Sequence, residues 1–233
     1  MVLVILMGKN FLEEIRICNT IDFINSSYFH ELMNFKKIDC YFDCDGVLFD
    51  TIKVSFLELG LDYKNIPTDP NVQKGLSEYY KKVDWLDLLN RSGEINESCK
   101  KLLILKNLNI FKNIAVATHR HSYLNEGVSK KQVFNEKAKG ITVFDIPYKI
   151  PKEVALNSTN NILVDDSKSK ITSWVNSGGI GVLFDDEVEE LILPNENTPY
   201  FITGDILDVI KVIYILNKFS KEKENEKGLS KTR

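Results

Sequence analysis

Apolar positions along the chain fall into two recurring kinds of segment. Short runs rich in Ile, Val, Phe and Leu, closed by Gly, Asp or Pro, alternate with longer stretches whose apolar residues recur at helical spacing. The first kind predicts five strands, at Ile38–Asp45, Asn113–His119, Gly140–Pro147, Asn161–Asp166 and Gly179–Asp185. The second predicts helices between them, including SYLNEGVSKKQVFNEKAK and SKITSWVNSG, the latter closed by Gly178 as a C-cap. Strands alternating with helices predict an α/β fold, a Rossmann-like parallel sheet with helices on both faces. Right-handed crossovers bring the carboxyl ends of such strands to one edge, where open sheets bind ligands.

The interval at residues 53–112 is too long for a single crossover. Its patterns LSEYYKKVDWLDLLN and NESCKKLLILKNLN predict a small helical insertion after the first strand. Residues 10–35 read as one or two short helices, and Met33 could serve as a later start, leaving what precedes it dispensable. The Lys/Glu run from Lys218 reads as a frayed helix and disordered tail. The expected organisation is an N-terminal extension (1–37), a core (38–54 and 112–217), a helical cap (55–111) and a charged tail (218–233). No internal repeat is visible.

Composition narrows the setting. The chain has 233 residues, 43% hydrophobic and 27% charged, as in an ordinary globular protein. A net charge of -3 gives no general basic field for nucleic acid or an anionic membrane. The opening MVLVILM is too short for a membrane span and lacks the basic start of a signal peptide. The four cysteines form no CxxC pair, which argues against zinc. Cys40 and Cys44 would lie about 13 Å apart on one strand, beyond disulfide reach. A reducing, cytoplasmic setting is the simplest reading.

The candidate chemistry lies at the strand ends. Asp43 and Asp45 end the first strand, Thr118 the second, and Asp165 with Asp166 the fourth; Lys149 and Lys152 follow the third. Convergent carboxylates repel unless a cation is present, and oxygen ligands of this kind suit Mg²⁺. A lysine and a hydroxyl beside them supply what a phosphoryl group needs.

These residues carry a resemblance. DCDGVLFDT, the strand-end Thr118, a downstream lysine and ILVDDS resemble, in order, the four motifs of the haloacid dehalogenase-like (HAD) superfamily. The insertion resembles the small cap of the 5'(3')-deoxyribonucleotidase branch. The resemblance implies a Mg²⁺-dependent phosphomonoesterase acting on a small phosphorylated substrate, with (deoxy)nucleoside monophosphates suggested by that branch. It implies Asp43 as the nucleophile that becomes an aspartyl-phosphate, and Asp45 as the general acid and base. Gly46 would let the backbone turn beside the phosphate, and Thr118 would donate to it. Asp166 would hold the metal with Asp43 and the Asp45 carbonyl, supported by Asp165. Lys152, which follows Pro151 and opens a helix, is ranked above Lys149 as the phosphate lysine. Where some members carry a further acid, Lys170 stands, leaving the metal fewer outer carboxylates.

His119, Arg120 and His121 are candidates for reading the substrate, or a solvated loop. Trp85, Tyr79 and Tyr80 could stack on a base, although packing alone would explain Trp85. A haloacid dehalogenase proper is disfavoured, because Asp45 is the acid/base a phosphatase uses. The competing readings are a phosphotransferase or mutase of the same fold and a non-catalytic module binding a phosphorylated partner. A DNA 3'-phosphatase would require a basic groove that the charge balance does not suggest.

Overall fold

The computed structural model describes residues 9–63, 69–120 and 125–231. Among the described residues, three short helices come first, α1 (Lys9–Ile17), α2 (Thr20–Ile24) and α3 (Ser27–Leu32), before β1 (Asp39–Phe42) enters the sheet. Next come α4 (Thr51–Glu58), α5 (Pro70–Lys82), α6 (Trp85–Ser92) and α7 (Ser98–Asn107). Then β2 (Asn113–Arg120), α8 (Glu126–Lys137), β3 (Thr142–Pro147), α9 (Lys152–Ala155) and β4 (Ile162–Asp165) follow. The remainder is α10 (Lys168–Asn176), β5 (Ile180–Phe184), β6 (Phe201–Thr203) and α11 (Val209–Lys231).

The strands form one parallel sheet in the order β3-β2-β1-β4-β5-β6. The fold is therefore α/β and Rossmann-like, as expected. Successive strand residues face opposite sides, so each buried strand contributes to two cores. Cys40, Phe42, Val116, Val164 and Val182 join one core with residues of α7, α8 and α11. Tyr41, Ala115, Ala117 and Leu163 join the other with Ile171 and Trp174 of α10. Both faces are thus covered by helices.

Strand order reverses between β1 and β4, so crossovers leave these neighbours in opposite directions and open a crevice above their carboxyl ends. Asp43 and Asp165 stand there.

Several boundaries differ from the expectation. β6 is a strand of three residues, Phe-Ile-Thr, too short for a periodic signal. The helix α7, expected within an insertion ending at 111, buries Cys99, Leu102 and Leu105 in the main core and packs against β2. α5 and α6, joined at Asp84, are the helices that overhang the crevice. Asp69 and Asp84 cap them by accepting N–H bonds from Asn71 and from Leu86 and Asp87. Of the frayed helix and disordered tail expected from Lys218, the helix is present: α11 continues as far as Lys231. The N-terminal segment is docked: Leu12, Ile15, Phe23 and Leu32 are buried in the main core. Among the described residues, no helix is long and apolar enough to cross a membrane.

Candidate active site

Asp43 follows β1 directly, and its N–H still donates to Val164 O of β4 at 2.8 Å, which holds it above the crevice. Its Oδ1 accepts the Cys44 N–H at 2.8 Å. Two ammonium groups bracket the carboxylate: Lys152 Nζ lies 3.0 Å from Oδ1 and Lys170 Nζ 3.0 Å from Oδ2. Burial by itself would push the Asp43 carboxyl up, but Lys152 and Lys170 outweigh it and hold it well below the usual range. A buried carboxylate stays ionised.

Asp165, the last residue of β4, shares both lysines. Lys152 Nζ donates to its Oδ2 at 2.7 Å, and Lys170 Nζ is 3.4 Å from its Oδ1. That Oδ1 also accepts the Ser167 N–H at the start of α10. Asp166 differs: among the described residues no hydrogen bond or ion pair reaches its carboxylate. Burial, with the charges of Asp165 and Asp43 beside it, raises its pKa to about 8. Gly46 sits against it with φ +78°, and a Cβ there would come within 2.3 Å of Asp166 Oδ2. Both the backbone conformation and the close approach require glycine.

Asp45 is held at both oxygens. Thr51 Oγ1, in the first turn of α4, donates to Oδ1 at 2.7 Å, and Lys130 Nζ of α8 donates to Oδ2 at 2.5 Å. Lys130 has no exposed surface. It also donates to Thr118 Oγ1 at 2.9 Å and Glu126 Oε1 at 2.8 Å, and lies 5.1 Å from the Trp85 ring centre. Burial works to lower its pKa, but Asp45 leads the neighbouring charges that raise it well above the ordinary lysine range.

These groups meet a cavity of about 490 Å³. Asp43, Asp45, Asp166 and Lys170 supply its charged residues. Ile52 and Phe56 of α4, Leu76 and Tyr80 of α5, and Trp85 of α6 supply an apolar wall, with His119 and Tyr148 also lining it. Tyr80 and Trp85 stack on each other, centroids 5.5 Å apart and 20° between planes, so Trp85 is both packed and part of the wall. Tyr79 is not among the lining residues.

The expected residues divide accordingly. Asp43, Asp45, Gly46, Asp165, Asp166 and Lys152 come together. Lys152 is buried against two acids, whereas Lys149 is exposed and outside the cavity. Thr118, expected to face phosphate, is wholly buried, does not line the cavity, and accepts its hydrogen bond from Lys130. His119 lines the cavity, its Nε2 3.0 Å from Ile150 O, and burial chiefly lowers its pKa. Arg120 turns away and pairs with Asp145 at 3.3 Å. His121 lies outside the described residues. Lys130, Glu126 and Thr51 are functional candidates that sequence alone does not single out. Thr51 closes the DCDGVLFDT motif, but Glu126 and Lys130, four residues apart, look in sequence like an exposed helical pair.

The donor set fits a hard divalent cation. Asp43, Asp165 and Asp166 each place a carboxylate oxygen within 4.8 Å of the others. Among the described residues, Asp43, Asp45 and Asp165 pair with the ammonium groups of Lys130, Lys152 and Lys170, whereas Asp166 pairs with none of them. The unpaired Asp166 carboxyl is the group a cation would satisfy.

No protein-family profile matches the chain, and no curated protein matches it. Solved structures do. A HAD-superfamily hydrolase of subfamily IA, variant 1, from Geobacter sulfurreducens is 14% identical with a TM-score of 0.48, over 76% of this chain and 100% of that one. A HAD-superfamily hydrolase from Ehrlichia chaffeensis is 14% identical with a TM-score of 0.42, over 77% and 98%. L-2-haloacid dehalogenase from Xanthobacter autotrophicus is 11% identical with a TM-score of 0.43, over 76% and 98%.

Proposed function

We propose that this protein is a divalent-metal-dependent phosphomonoesterase of the HAD type that works through an aspartyl-phosphate on Asp43. The observation that carries the reading is the Asp43 carboxylate, buried yet kept ionised by two ammonium groups, lining a cavity beside a second, tightly held aspartate. Burial strips water from the carboxylate while the lysines preserve its charge, the combination a nucleophile needs.

In this reading an Asp43 oxygen attacks phosphorus as the ester P–O bond breaks. Asp45 gives its proton to the leaving alcohol, then takes one from the water that hydrolyses the acyl phosphate, so inorganic phosphate leaves and Asp43 is restored. Thr51 and Lys130 hold Asp45 at fixed orientation, and Thr118 serves that task through Lys130. Lys152 keeps Asp43 charged and Lys170 faces the cavity, where its charge can meet a phosphate oxygen. Mg²⁺ is the proposed cofactor; held by Asp43, Asp166 and the Asp45 carbonyl, with Asp165 in support, it would supply positive charge to the phosphoryl oxygens.

The wall of Ile52, Phe56, Leu76, Tyr80 and Trp85 carries no charge. It favours a flat, uncharged leaving group over one bearing another phosphate or carboxylate, and (deoxy)nucleoside monophosphates are of that kind. The four free cysteines, three of them buried, suit a reducing cytoplasm.

The test is phosphate release from nucleoside and deoxynucleoside monophosphates, sugar phosphates and an aryl phosphate, with Mg²⁺ or with EDTA. Turnover that needs Mg²⁺ and disappears in Asp43→Asn is expected, strongest with the nucleotides. A folded protein that cleaves none of these esters would defeat the reading.

A further inference from the structure

The carboxylates that suit a divalent ion already hold an ammonium group. Lys170 lies in the first turn of α10, and its Nζ sits 3.0 Å from Asp43 Oδ2 and 3.4 Å from Asp165 Oδ1. Those acids are two of the three whose oxygens cluster within 4.8 Å. Lys152 contacts the same two acids, but its side chain is 1% exposed and has nowhere to go. The Lys170 side chain is 33% exposed and lines the cavity, so it can turn outward along the cavity wall.

We infer that Lys170 is a tethered, displaceable cation that occupies the carboxylate pocket until a divalent ion replaces it. This rests on the metal-dependent reading above. An ammonium and a divalent cation cannot share the same carboxylate oxygens without strong mutual repulsion. Binding the ion therefore means breaking the Lys170 pairs with Asp43 and Asp165, and affinity falls by what those pairs contribute. In exchange, the metal-free protein keeps the negative charge of its nucleophile paired. The displaced ammonium turns toward the space where a phosphate would sit, so Lys170 serves the acids before the metal arrives and the substrate afterwards.

The experiment is a Mn²⁺ titration of the full chain, stripped with EDTA, with free Mn²⁺ followed by electron paramagnetic resonance. Wild type is compared with Lys170→Met, Lys170→Gln and Asp166→Asn, each checked for folding by circular dichroism. Both Lys170 variants are expected to bind Mn²⁺ more tightly, on the order of tenfold or more, because a competing charge is gone. Asp166→Asn is expected to lose binding. Folded Lys170 variants that bind no more tightly than wild type overturn the inference. Phosphate release from the same preparations separates the two readings. Tighter Mn²⁺ binding with no ester cleaved leaves the displaceable lysine standing and sinks the phosphatase, whereas turnover with unchanged Mn²⁺ affinity does the reverse.

Discussion

Lys130 shows how much one side chain organises here. Its ammonium has no exposed surface and touches Asp45, Glu126 and Thr118, while the Trp85 ring covers it from the overhanging helices. A buried ammonium is tolerable only when its donors are satisfied and its charge is paired, and both conditions hold. Replacing it by methionine keeps the bulk but removes the ammonium that Asp45 and Glu126 share. Lys130→Met is therefore expected to cost about 3–5 kcal/mol in urea unfolding and to lower turnover by freeing Asp45. A stability loss below about 1 kcal/mol would mean that the network contributes no more than a surface ion pair does. Its neighbour Lys131 is exposed. In sequence the two lysines are indistinguishable, and only the rotation of α8 against β2 and α6 separates them.

Among the elements, the short helices expected at residues 10–35 are present as α1, α2 and α3, and what the structure adds is their docking on the core. A start at Met33 would make everything before it dispensable. In the structure Phe23 meets Tyr214 of α11 edge-on, centroids 5.4 Å apart, and Leu12, Ile15 and Leu32 are buried beside it. Thr20 Oγ1 donates to Asp208 Oδ1 at 2.8 Å just ahead of α11, tying the segment down by a buried hydrogen bond. Each buried apolar side chain contributes on the order of 1.5–3 kcal/mol. Removing residues 1–32 would uncover the α11 face that these helices protect. The truncated chain is expected to be insoluble or to melt far below the full chain, measured by thermal unfolding and size-exclusion chromatography. Equal melting temperatures would show that these helices do not stabilise the core.

For the molecule as a whole, the cluster of acids at one sheet edge ties stability to pH. Asp166 has its folded pKa raised to about 8 from a reference of 3.8, by burial and then by Asp165 and Asp43. In the metal-free protein the folded state therefore holds a proton that the unfolded chain has released. The stability this gives is complete below about pH 4 and is lost as the pH rises toward about 8. The expected outcome is a melting temperature that falls across that window in EDTA, with a shallower fall in Asp166→Asn. Saturating Mg²⁺ should raise the melting temperature most at the alkaline end, because the ion binds the ionised carboxylate. Parallel pH profiles for wild type and Asp166→Asn would remove Asp166 as the cause.

Much of this is legible in the sequence. Apolar runs such as DCYF and ILVD are strongly β-forming and need burial on both faces, so they announced a parallel sheet from local chemistry alone. The acids at their ends were visible for the same reason: a polar residue closing a buried strand is a local event. What remained hidden depends on which surfaces meet. Whether Lys149 or Lys152 reaches Asp43 is decided by the turn between β3 and α9, and whether Lys130 faces inward by how α8 packs. That Lys170 falls on the acids is decided by the crevice between β1 and β4. A helix carries polar residues on many sides, and its sequence does not say which side the rest of the chain will cover. Burial turns an ordinary lysine into part of a site, and burial is a property of the assembled fold.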